Sequence, residues 1–142
     1  MSRNTKIILV AIAALVGLGL IWQQFNTASS EAEDQNGAPM VSVTVPVLMG
    51  AALDGEQIFN ANCAVCHGEN AAGRFGSGPP LVHKIYEPSH HGDMAFMLAP
   101  RQGVRAHHWP FGDMPPVDGL SDADVEQVIS YVRTLQRANG IN

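Results

Sequence analysis

Cys63, Cys66 and His67 stand together in the string CAVCH, and they include both cysteines of the 142-residue chain. Two thiols with two residues between them suit three chemistries: part of a metal site, a redox dithiol, or two thioether bonds to the vinyl groups of a haem. A structural zinc site needs four ligands, and no second C-x-x-C is present. A thioredoxin-like dithiol needs a βαβ setting, and the chain offers no convincing set of strands. C-x-x-C-H is the attachment signature of haem c, in which the histidine after the second cysteine can reach iron from one face. The expectation is therefore one haem c, held covalently through Cys63 and Cys66, with His67 as a metal ligand.

Such a site must be positioned by the segments around it. AALDGEQIFNANCAVCH reads as a short helix running into the motif, with Ile58, Phe59 and Asn62 near one face and Gly55 one turn before Phe59. GLSDADVEQVISYVRTLQRANG begins with Ser121 as N-cap and Asp124 three residues on, a capping-box pattern. Its Val125, Val128, Ile129, Val132 and Leu135 fall at helical spacing. Arg133 and Arg137 lie in its last turns, where cations complement the helix dipole, and Gly140 can close it. Between these two, HGDMAFMLAPRQG predicts a third short helix, capped by Asp93, ended by Gly103 and kinked or cut short at Pro100. Met94 and Met97, in its apolar stretch, are expected to pack in the core. GRFGSGPP and HWPFGDMPP read as loops. Three short helices and long loops make a thin core for about 90 residues, and a large apolar cofactor would fill it.

The N-terminus carries an address. Arg3 and Lys6 precede an uncharged apolar run from Ile7 to Trp22, 16 residues or roughly 24 Å of helix. The run is long for a secretory signal and slightly short for a span, although Lys6 can snorkel and Trp22 can sit at an interface. An uncleaved membrane helix over residues 7–22 is expected. It would place the rest of the chain on the periplasmic side of the cytoplasmic membrane, with a cleaved signal and a soluble periplasmic protein as the alternative. Three parts follow: residues 1–25 as anchor or signal, 26–50 as a polar, acidic linker, and 51–142 as the domain. Within the linker, Val41, Val43, Val45 and Val47 alternate with polar residues and Pro46, which suggests an extended segment resting on the domain. From residue 31 onward, six basic side chains stand against 13 acidic ones, a net charge of −7. That excludes nucleic acid as a partner and favours a basic patch on a protein.

Residues 51–142 resemble a small bacterial class I cytochrome c. CAVCH, GPPL, MPP and the final helix occur in that family's order, over about two-thirds of the chain. The resemblance implies an all-α fold of three or more short helices wrapped around one haem, the first and last crossing with Gly55 and Phe59 near Tyr131. It gives the Pro79 carbonyl the task of fixing the His67 ring and has Leu81 pack on the haem. It makes Met114 the sixth iron ligand: a soft, neutral thioether that favours ferrous iron and raises the potential. Arg74, Tyr86, Arg101, Arg105 and Trp109 are candidate donors to the haem propionates, and Trp109 is preferred because an indole N–H can donate from within a loop.

The function implied is one-electron transfer between redox proteins, a donor and an acceptor, with no reaction catalysed. Alternatives are a haem subunit dedicated to a dehydrogenase or oxidase complex, a copper-handling cytochrome, and gas binding at an open iron. His83, His90, His91, His107 and His108 are not needed by a small cytochrome. They read as solvated loop residues or propionate donors; the sharper reading is a second metal site, with Met94 or Met97 as soft ligands, or a histidine in place of Met114 on the iron.

Overall fold

The computed structural model describes residues 14–24 and 36–142. Two compact units divide between Asn36 and Gly37. In the first, residues 14–24 form a helix, α1, whose Leu15, Val16, Leu18, Leu20, Ile21 and Trp22 are all exposed. Among the described residues no helix is long and apolar enough to cross a membrane. Residues 7–13 of the expected span lie outside the described residues, as do residues 26–35 of the expected linker.

The second unit is helical, with no strand among its described residues. It contains α2 (Ala51–Asn62), α3 (Ala64–His67), α4 (Asp93–Gln102), α5 (Asp122–Ala138) and two short 3-10 turns, Glu69–Ala71 and Lys84–Tyr86. The single helix expected to run into CAVCH breaks at Cys63, so that the cysteine motif forms its own turn, α3. α5 begins as the sequence predicts. The Ser121 hydroxyl accepts from the Asp124 N–H while the Asp124 carboxylate accepts from the Ser121 N–H. Gly140 follows the helix end with a positive φ.

The core lies where α2 and α5 cross. Phe59, Tyr131, Val132 and Leu135 are fully buried there, and the Phe59 and Tyr131 rings meet at 5.4 Å with a 56° tilt. Gly55 makes this crossing possible: a Cβ at that position would overlap the backbone carbonyl of Gln127. Gly55→Ala should therefore destabilise the protein. Helix propensity favours alanine by about 0.5–1 kcal/mol. Overpacking against a neighbouring backbone, which cannot rotate away, costs about 1–3 kcal/mol and wins. The check is a lower denaturant midpoint at unchanged slope.

Residues 37–50 run along the surface of this unit. The N–H groups of Met40 and Val41 donate to the Ala72 carbonyl, and the Asn139 side chain both accepts from and donates to the Thr44 backbone. Val43 and Leu48 pack on the core. The extended reading of this segment holds, but its partners are a loop and a helix end rather than a sheet.

α4 departs from expectation in three ways. Gly92, not Asp93, is its N-cap. Met94 is 67% exposed and not in the core, because α4 turns Ala95, Phe96 and Ala99 inward and Met94 falls on the other face. Pro100 sits inside the last turn without ending the helix, which closes at Gly103 with a positive φ.

Candidate haem site

A cavity of about 460 Å³ opens between α3, α4, α5 and the loop from Val104 to Val117. It falls within the size range of cofactor pockets. Its walls are mainly apolar: Phe59, Leu81, Phe96, Val128 and Ile129 line it. The cavity brings together the attachment cysteines, both expected iron ligands, Pro79, Leu81 and the preferred propionate donor Trp109. Cys63, Cys66 and His67 come from the break and turn after α2, Pro79 and Leu81 from the following loop, and Trp109 and Met114 from the loop between α4 and α5.

The α3 turn shapes the donor set. His67 is buried, and its Nδ1 lies 2.9 Å from the Pro79 carbonyl. That contact makes Nδ1 the protonated nitrogen and leaves the lone pair on Nε2. Burial holds the His67 pKa below the ordinary imidazole value, against a smaller upward effect of the Pro79 hydrogen bond. A neutral imidazole with one free nitrogen is the form a metal needs. Cys63 is half-buried and its thiol is pushed up to about 11, by burial first and by Cys66 second. A catalytic dithiol needs the opposite shift, so the pair does not suit redox exchange.

Met114 is held by its backbone. Its N–H donates to the Val104 carbonyl and its carbonyl accepts from the Val104 N–H, both at 2.9 Å. Gly103 lets the two segments approach: a Cβ there would lie 2.6 Å from the Met114 carbonyl oxygen. The isolated bridge and the two prolines that follow restrain the loop beside the cavity.

The candidate propionate donors separate. Arg74 does not line the cavity and donates instead to the Val65 carbonyl. Arg101 also stays outside, paired with Asp122. Tyr86, Arg105 and Trp109 do line it. The Trp109 Nε1 is buried without completing a hydrogen bond. Burial raises the Tyr86 pKa, and the nearby Trp109 indole only partly offsets this. His83 meets the Trp109 ring edge-on at 5.2 Å and does not line the cavity. A buried N–H with only the Tyr86 side chain near it suits a carboxylate of the cofactor. With two thiols, a neutral imidazole, a thioether and apolar walls, the residues fit a haem.

Arg133 and Gln136 support the site and were not anticipated as buried groups. Arg133 is 7% exposed and Gln136 is fully buried. The guanidinium donates to the Tyr86 and His91 carbonyls, to Gln136 Oε1 and to Asp93, and it lies 4.7 Å from the Phe96 ring centre. Gln136 donates to the Leu81 and Tyr86 carbonyls. Together they tie the loop 81–93, which forms one wall of the cavity, to α5. Asp93 is 66% exposed, so the ion pair contributes little and the bonds to buried carbonyls dominate. Arg133→Met should leave acceptors unsatisfied and lower stability by about 2–4 kcal/mol. Asp93→Asn should cost under about 1 kcal/mol. Chemical denaturation of both variants checks the order.

Residues 52–136 match the family model for cytochrome c. The Cbb3-type cytochrome c oxidase subunit CcoP of Rhodobacter capsulatus is 36% identical over 88 residues, 59% of this chain and 29% of that protein. The subunit of the same name from Azospirillum brasilense is 35% identical over 91 residues, 60% of this chain and 28% of that protein. The chain thus spans less than a third of the length of these relatives. No solved structure matches.

Proposed function

This chain belongs to the cytochrome c family and its cofactor is covalently bound haem c; from that premise we propose a carrier of single electrons whose iron is held by His67 and Met114. The bound haem supplies an iron centre that takes up and releases one electron. The chain's own residues do the rest. Cys63 and Cys66 fix the group, Pro79 orients His67, Leu81 and the other apolar walls exclude water, and Trp109 donates to a propionate. The observation that carries the reading is the CAVCH turn facing the same apolar cavity as the restrained Met114. With His67 and Met114 both holding the iron, no position would be open to substrate, and the haem would supply electron transfer without catalysis.

Redox proteins are the partners this reading requires. The net charge of −7 from residue 31 onward favours a basic patch on the partner and a small, transient interface. A second reading makes the chain a haem subunit of an oxidase assembly, and the likeness to two CcoP subunits favours it. In either case the apolar run that begins at Ile7 behind Arg3 and Lys6 exports the haem unit to the periplasmic side, as an uncleaved anchor or as a cleaved signal. Potentiometric titration should show a single one-electron wave. Stable co-purification with a larger catalytic chain would select the subunit reading; recovery as a free protein that reduces and reoxidises rapidly would select the shuttle.

A further inference from the structure

We propose that His90, His91 and His108 form a binding site for one divalent transition cation of the zinc–copper class, at the edge of the haem cavity that His91 and His108 also line. The sequence scatters these residues, two in the turn before α4 and one in the loop toward Met114, six positions before it. The fold gathers them, with ligand atoms all within 4.8 Å of one another. His90 Nε2 and His108 Nε2 stand 3.3 Å apart. Two nitrogens bound tetrahedrally to zinc at 2.0–2.1 Å are separated by about 3.3 Å.

The third ligand is already oriented. His91 Nδ1 lies 2.7 Å from the Ile85 carbonyl, which keeps the proton on Nδ1 and presents Nε2. A backbone carbonyl on the distal nitrogen is the usual support for a metal-bound imidazole. His107 is held in the same manner by the Arg105 carbonyl, and its ring stacks on His91 at 5.8 Å. Imidazole nitrogen suits zinc, copper and nickel and not magnesium or calcium. His90 and His108 are exposed, so a cation can enter and a fourth position stays open to water. A bound cation would clasp the entry of α4 to the loop that carries Met114.

The test uses the full-length haem-loaded protein, stripped with a chelator and titrated calorimetrically with Zn²⁺ near pH 7.5. One equivalent should bind with a dissociation constant of about 10 µM or tighter. His90→Ala and His108→Ala should each weaken binding at least about tenfold, and His90→Ala, outside the cavity lining, should leave the haem spectrum unchanged. His83→Ala should not change it, and Mg²⁺ should not bind. Cu²⁺ should occupy the same site, with nitrogen hyperfine structure in its paramagnetic resonance spectrum. Absence of a saturable Zn²⁺ site, or one that persists at full affinity in both the His90 and His108 variants, would overturn the proposal.

Discussion

Replacing both Cys63 and Cys66 by serine should yield a chain that carries no haem after purification and does not hold its tertiary structure. The second unit buries few large side chains, and most of them sit at the α2–α5 crossing. Beside that crossing lies a mostly apolar cavity of about 460 Å³. At ~24 cal/mol per Å³, leaving such a volume unfilled costs up to roughly 11 kcal/mol. The figure is an upper one, because the cavity opens to solvent. It still equals much of the 5–15 kcal/mol that holds an ordinary domain together. The expected result is loss of near-ultraviolet ellipticity and of a cooperative thermal transition, together with loss of haem staining on a denaturing gel. Single replacements should be milder, since one thioether and His67 still hold the group.

Met114 carries the second large effect. Met114→His should keep a six-coordinate iron but lower the potential, because imidazole stabilises ferric iron better than a thioether does. The shift should amount to a few tenths of a volt, within the roughly 0.8 V that axial ligands control. Met114→Ala should open the position, and carbon monoxide should then bind the reduced protein readily. Met94→Leu should alter neither property: Met94 is 67% exposed on the face of α4 turned away from the cavity. Redox titration and carbon monoxide difference spectra measure both outcomes. An unchanged potential in Met114→His would remove Met114 from the iron.

The legible parts of the fold are those written in local sequence. The Ser121–Asp124 box, the stripe from Val125 to Leu135 and the closing Gly140 specify α5 without reference to anything else. CAVCH specifies the cofactor because two thiols and an imidazole at that spacing have few other uses. What escaped reading depends on where the cavity lies. MAFML offers two apolar faces, and only the position of the pocket decides that Ala95 and Phe96 turn inward while Met94 turns out. Arg133 reads as a partner of the helix dipole, yet it follows Ile129 by four residues, as Gln136 follows Val132. Two polar side chains on an apolar stripe were the available signal that a polar network is buried there. Asp93 belongs to that network through Arg133, and Gly92 takes the cap position. The convergence of His90, His91 and His108 joins residues up to 18 positions apart and is visible only in three dimensions.

The central claim is an iron held by His67 and Met114. It is tested most directly by the near-red absorption of the oxidised wild-type protein, where an iron–thioether bond gives a weak charge-transfer band. The account predicts that the band is present in the wild type, survives in Met94→Leu and Met97→Leu, and vanishes in Met114→Ala. A wild-type protein without the band, or a band that survives in Met114→Ala, would contradict it and pass the second axial position to another residue.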